Sequence, residues 1–155
     1  MNKQPTEHEI RFRIWCSYWL EVMTETVNRR IDTLINAITL ILGASIFATS
    51  SFSWLFGAII AVLSGCRIAW QFSRKAESAR QQAKRYSGLI DSLPNLSIDE
   101  AKARLSMLEE FDSTILSSLN NPARNRASIS LEMKHREQLS ISERVISWIA
   151  GGIPN

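Results

Sequence analysis

The sequence has little from which to assemble a catalytic or metal centre. Its 155 residues include two histidines and two cysteines. His8 and His135 lie far apart with no partner ligands at metal-site spacing, so both read as solvated surface residues. Cys16 and Cys66 offer no ligand pattern either. Glu109, Glu110 and Asp112 crowd together, but an acidic run on an amphipathic helix ordinarily faces water. Gly57 and Gly65 sit inside an apolar run rather than in a phosphate-cradling loop. No nucleophile elbow, nucleotide-binding loop or zinc pattern occurs. These absences argue against an enzyme and against any cofactor or metal.

A second absence is positional. Residues 33–66 contain no Asp, Glu, Lys or Arg, although charged residues make up 21% of the chain. The bulk of this stretch reads LINAITLILGASIFATSSFSWLFGAIIAVLSGC. One membrane helix needs roughly 20 apolar residues, so the run is too long for one crossing and suits two short ones. The polar cluster Thr49, Ser50, Ser51 and Ser53 divides it. A transmembrane hairpin follows, with spans at about 32–49 and 53–72 joined by a turn at 50–52. The soluble alternative, two helices buried in a bundle core, fits less well. Apolar residues cover every face of the first span, and a single domain of this length struggles to bury two helices on all sides.

The formal net charge is +3, and its placement is more informative than its size. Arg29 and Arg30 precede the first span, Arg67, Arg74 and Lys75 follow the second, and the turn has no basic residue. The positive-inside rule then places both termini in the cytoplasm and only the turn outside. Such flanks face anionic headgroups, so the basic balance implies a lipid bilayer partner and no direct nucleic-acid binding. No signal-peptide pattern precedes the first span. Cys16 in the cytoplasm and Cys66 at the inner membrane face are expected to stay unpaired.

The flanks read as helices. Residues 1–5 are expected to form a disordered tail. Thr6 and Glu9 make a capping box, and no Pro or Gly occurs from 7 to 32. Ile10, Ile14, Trp15, Tyr18, Trp19, Val22, Met23 and Val27 form one stripe, while Glu7, Arg11, Arg13, Glu21, Glu25 and Asn28 lie largely elsewhere. One helix from about 6 to 49 is expected. Its aromatic stripe could lie on the membrane surface, on another part of the chain or on a second copy.

Beyond the second span, Ala69, Phe72, Ala76, Ala79, Ala83, Tyr86, Ile90 and Leu93 recur at steps of three and four, a seam leaving the membrane without a break. A small-residue seam admits large knobs, which predicts Trp15, Tyr18, Trp19 and Val22 packed over Ala76, Ala79 and Ala83, with Tyr86 further along. Self-association through the same seam competes with this pairing. Residues 6–93 thus form a long helical hairpin, stopped by Pro94. Ser97 and Glu100 open a helix over 97–121, expected to end at Asn120-Asn121-Pro122, with Ile98, Ala101, Leu105, Leu108, Phe111 or Met107, Ile115 and Leu119 as its stripe. It would complete a three-helix bundle under the membrane. Residues 122–155 hold a basic segment and a short helix, capped by Ser140 and Glu143 and closed by Gly151-Gly152. Its face of Ile141, Val145, Trp148 and Ile149 either docks on the bundle or dips into the bilayer interface. The fold class is therefore an all-α membrane protein, a two-span hairpin extended into a cytoplasmic helical bundle.

Within the spans, Gly57, Ala61 and Gly65 form a small-residue stripe, and Ala44 and Ala48 repeat the spacing. Helices in lipid associate by close packing that small residues permit. These stripes either hold the hairpin together or meet other copies as a homo-oligomer. Asn36, Thr39, Ser45 and Ser64 bring polar groups to a depth where such groups face another helix or line a water path.

A capped amphipathic helix, two short spans with a minimal turn, and a basic helix ending in RYSGLIDSL (residues 85–93) resemble the SLATT family of small two-transmembrane proteins in bacterial conflict systems. The resemblance covers about residues 9–93. It implies a bacterial inner-membrane effector with its turn in the periplasm, quiet until a sensor, nucleotide-signalling protein or reverse transcriptase reports infection. Such an effector assembles and permeabilises or depolarises the membrane, as an antiviral toxin. Retron-associated two-span effectors share this outline. A reading from a different class is a non-toxic membrane adaptor whose cytoplasmic helices recruit a soluble partner.

Overall fold

Thr6 and Glu9 start the longest element of the molecule. The Thr6 amide donates to Glu9 Oε2 at 2.6 Å, and the Glu9 amide donates to Thr6 Oγ1 at 3.3 Å. This reciprocal box satisfies amides that a helix start leaves open. Helix α1 then runs without interruption over Glu7–Ile46, 40 residues, or about 60 Å at the helical rise. A computed structural model describes residues 6–46 and 52–154. The tail expected over 1–5, Ala48, and positions 50 and 51 of the expected turn lie outside the described residues. Helices α2 (Ser53–Trp70), α3 (Phe72–Ser92), α4 (Ile98–Glu109), α5 (Asn120–Ser130) and α6 (Ile141–Ile149) follow. Every regular element among the described residues is helical, so the protein is all-α.

Helix α1 is the axis on which the rest is hung. Its C-terminal part packs against α2, forming an apolar arm, and the remainder packs against α3, α4, α5 and α6. Two clusters make the bundle core. Ile10 and Ile14 of α1 meet Tyr86 and Leu89 of α3 and Ala101 and Leu105 of α4. Nearer the arm, Met23 and Val27 meet Leu119, Ala123 of α5 and Ala150, which follows α6. Because α1 is enclosed on several sides, more than one stripe of it is buried. Glu21, Thr24 and Asn28 are buried with the apolar residues, which corrects the expectation that Glu21 and Asn28 lie off the packed face.

The segment after Pro94 departs most from expectation. Helix α4 opens on the Ser97–Glu100 capping box but stops at Glu109, well short of Asn120. The Asp112 carboxylate is held by the Gln82 and Tyr86 side chains of α3. Buried Glu21 takes the Ser113 amide at 2.8 Å, which fixes the chain in a non-helical course. Asn120-Asn121-Pro122 begins α5 instead of ending α4. Proline is tolerated in a first helical turn because its missing amide would have had no helical acceptor. The expected three-helix bundle therefore gains α5 and α6 as a further layer, while Phe111 and Met107 stay exposed.

Helices α2 and α3 do not form the unbroken seam expected of them. Gln71 between them adopts a left-handed conformation, φ 49° and ψ 46°. Backbone bonds still bridge the site, from the Gln71 amide to Arg67 O and from the Lys75 amide to Gln71 O, each at 3.0 Å. Beyond it α3 buries Ala76, Ala79, Gln82, Ala83, Tyr86 and Leu89, while Ala69 before the break is exposed.

Candidate membrane site

The apolar arm is the part of the molecule whose chemistry is least explained by its own fold. Taken across Gln71, the helix over Ser53–Asn95 has an apolar window of mean hydropathy 1.6, none of it buried. Among the described residues it is the one helix long and apolar enough to cross a membrane. Leu40, Ile41, Val62 and Ile68 are also largely exposed, so the arm is not a core for the rest of this chain. Trp54 and Trp70, 72% and 52% exposed, stand near its two ends, about 24 Å apart along the helix.

The described small residues of the arm are exposed or half-buried. A side-chain carbon added at Gly43, Gly57 or Gly65 would meet no atom within 4 Å, and Ala44 and Ala61 are exposed. The polar residues in the arm do not converge. Asn36 Nδ2 donates to Asp32 Oδ2 at 3.3 Å, Ser45 Oγ donates to its own helix at Ile41 O at 2.8 Å, and Ser64 is exposed. Thr39 is half-buried.

A charged collar closes the arm where it joins the bundle. Arg67 Nε lies 3.2 Å from Asp32 Oδ1, tying α2 to α1. Arg74 Nη1 donates to Gln71 Oε1 at 3.1 Å across the left-handed residue. Arg29 pairs with Glu25 one turn back along α1. Arg30 Nη1 donates to Ile149 O at 2.7 Å and reaches Trp148 O at 3.4 Å, so it closes the C-terminus of α6. Lys75 is exposed. Asp32 and Gln71 carry no sequence signal that marks them. The partner of Asp32 lies far off in sequence on α2, and a single left-handed angle leaves no spacing pattern.

Above the collar, the pairing residues divide between two neighbours. Tyr18 packs on the cluster that contains Tyr86. Trp19 turns to α5, where its Nε1 donates to Ser130 Oγ at 3.0 Å and the Arg126 guanidinium lies 5.2 Å from its ring centre. This corrects its expected place over the α3 alanines. Trp15 meets Tyr18 edge-on at 5.7 Å, and both Trp15 and Val22 are half-buried. Sequence reasoning missed the polar network beside them. Asp112 Oδ1 accepts from the Tyr86 hydroxyl at 2.7 Å and from Gln82 Nε2 at 3.1 Å, and Gln82 Nε2 also donates to Leu108 O at 2.6 Å. Burial, then Asp112, pushes the Tyr86 hydroxyl well above the usual phenol range. Burial pushes the Cys16 thiol up to about 11, against the opposing charge of Arg124.

No family model, curated protein or solved structure matches this chain.

Proposed function

We propose that the protein is a two-span membrane hairpin whose charged bundle lies in the cytoplasm, and that it acts by self-associating in the bilayer and permeabilising it. The observation that carries this reading is the arm itself: apolar, unburied and edged by Trp54 and Trp70. Aromatic residues at both ends of a span are the usual anchors at the two membrane interfaces. The stripe of Gly57, Ala61 and Gly65 supports association between copies, since small residues let helix backbones approach in lipid. The charged collar suits headgroup level, where Arg67, Arg74 and Lys75 meet anionic lipid. The resemblance to SLATT effectors adds a bacterial inner membrane, an antiviral setting and a sensor or nucleotide-signalling partner that triggers assembly.

The test is induced expression in bacteria with a dye that reports membrane potential. Overproduction raises the concentration in the bilayer enough to drive assembly without the trigger, so the wild-type chain depolarises the cells, and chains crosslinked through lysines run as oligomers. Replacing Gly57, Ala61 and Gly65 with Leu abolishes both effects while the bundle stays folded, because a β-carbon at Gly57 or Gly65 meets nothing among the described residues and Ala61 is exposed. Depolarisation and oligomers that survive the triple substitution would overturn the assembly surface. A second reading, a membrane adaptor that recruits a soluble protein, is favoured by Met107 and Phe111, 66% and 63% exposed on the bundle. An adaptor is tolerated on overexpression and leaves the potential unchanged.

A further inference from the structure

Helix α6 is amphipathic, and its two faces have different fates. Ile146, Ser147, Ile149 and Ala150 turn toward α1 and the segment before α5, where Ser147 and Ala150 are buried. Ile141, Val145 and Trp148, spaced along the opposite face, are 84%, 55% and 70% exposed. The sequence stripe of Ile141, Val145, Trp148 and Ile149 is therefore split: Ile149 docks and the other three do not. The capping box at Ser140 and Glu143 and the backbone bond from the Gly152 amide to Ser147 O at 3.1 Å hold the helix in register at both ends. Three large apolar side chains on one short, well-capped helix are not needed for the fold of this chain.

The position of α6 says what they meet. Arg30 holds the carbonyls of Trp148 and Ile149, and the uncharged part of α1 begins one turn further on. The end of α6 at Trp148 thus lies within reach of Arg30, two residues along α1 from Asp32 at the root of the arm. Exposed Arg144 flanks the same stripe. An amphipathic helix with Trp on its apolar face and a basic neighbour is the pattern that lies in the headgroup layer.

We infer that α6 is a membrane-interface helix, which seats Trp148, Val145 and Ile141 in the lipid headgroup and upper acyl region on the bundle side of the bilayer. This rests on the reading of the arm as membrane-spanning. It fixes the height and tilt of the bundle above the bilayer, since α6 is bound to α1 through Arg30. The occupant of this face is lipid, not a second copy of the chain.

The test uses the full chain with Cys16 and Cys66 replaced by Ala, reconstituted in phosphatidylcholine–phosphatidylglycerol vesicles. A nitroxide is placed in turn at Val145→Cys, at Val62→Cys in α2 and at Gln81→Cys on the exposed side of α3. Collision with oxygen reports lipid, and collision with a water-soluble nickel chelate reports water. The expected result is an oxygen-to-chelate ratio at 145 several-fold above that at 81 and approaching that at 62. A ratio at 145 equal to that at 81, with 62 in lipid, overturns the inference and leaves the arm intact. Low accessibility to both reagents at 145 means a protein cover and overturns it as well. Chelate access at 62 overturns the membrane reading of the arm itself.

Discussion

At Glu21 a carboxyl group is fully buried, with Oε1 accepting the Ser113 amide and Oε2 lacking a hydrogen-bond partner. Burial raises its pKa, the bonds from Ser113 oppose this, and Asp112 adds to the rise. A carboxyl that titrates higher in the folded state costs stability as pH climbs from the unfolded value of 4.5 through the folded one, and the loss is constant above that. Glu100 and Glu143, lowered by the amides they cap, act with the opposite sign: their contribution is present above 4.5 and fades as pH falls. Glu21→Gln keeps an acceptor for Ser113 and removes one titration. Thermal unfolding in detergent across this window should therefore show a variant whose Tm gains on wild type as pH rises. At Cys16, a thiol raised to about 11 holds about 100-fold less thiolate at neutral pH than one at its ordinary value. Iodoacetamide labelling of a Cys66→Ala chain should lag a free thiol by about that factor. The three capping boxes were readable from sequence because each is closed by residues three apart. Glu21, Gln82 and Asp112 were not, because their roles depend on partners brought in by the bundle.

Among elements, the join between α2 and α3 is decided by one backbone angle. Left-handed geometry costs a residue with a β-carbon about 1–2 kcal/mol, and glycine avoids most of this at the cost of a more flexible unfolded chain. Gln71→Gly is expected to be neutral to stabilising by up to about 1 kcal/mol, and Gln71→Val to destabilise by at least that much. Thermal unfolding of the two variants in one detergent checks the order. The periodicity of Ala76, Ala79, Ala83 and Tyr86 made α3 readable, but a spacing pattern passes over a single reversed residue without notice. The same blindness carried α4 past Glu109 toward residue 121. Ile115 and Leu119 keep step with Ala101 and Leu105 in sequence, yet they belong to the second core cluster, beyond a non-helical segment. In α6 the periodic stripe was real, but which side of it met protein depended on where α1 and α5 left room.

For the molecule as a whole, accessible surface is 10214 Å², against about 7,900 Å² for a compact chain of this mass. The arm, whose apolar α2 window is nowhere buried, contributes to the excess. The bundle is held at the alanine seam of α3, where Ala79 is fully enclosed. Ala79→Leu should cost about 1–3 kcal/mol by overpacking. Ala69→Leu, on the exposed side of the break, should fall within about 0.5 kcal/mol of wild type. Denaturation followed by proteolysis of the bundle separates the two. The two legs of the arm also differ in continuity. α1 passes from bundle to arm as one unbroken helix. On the return leg the helix is interrupted at the left-handed Gln71, although backbone bonds span the break. A partner that grips the far end of the bundle therefore reaches one leg through a continuous helix and the other through the Gln71 junction, the Asp32–Arg67 tie and the α1–α2 packing.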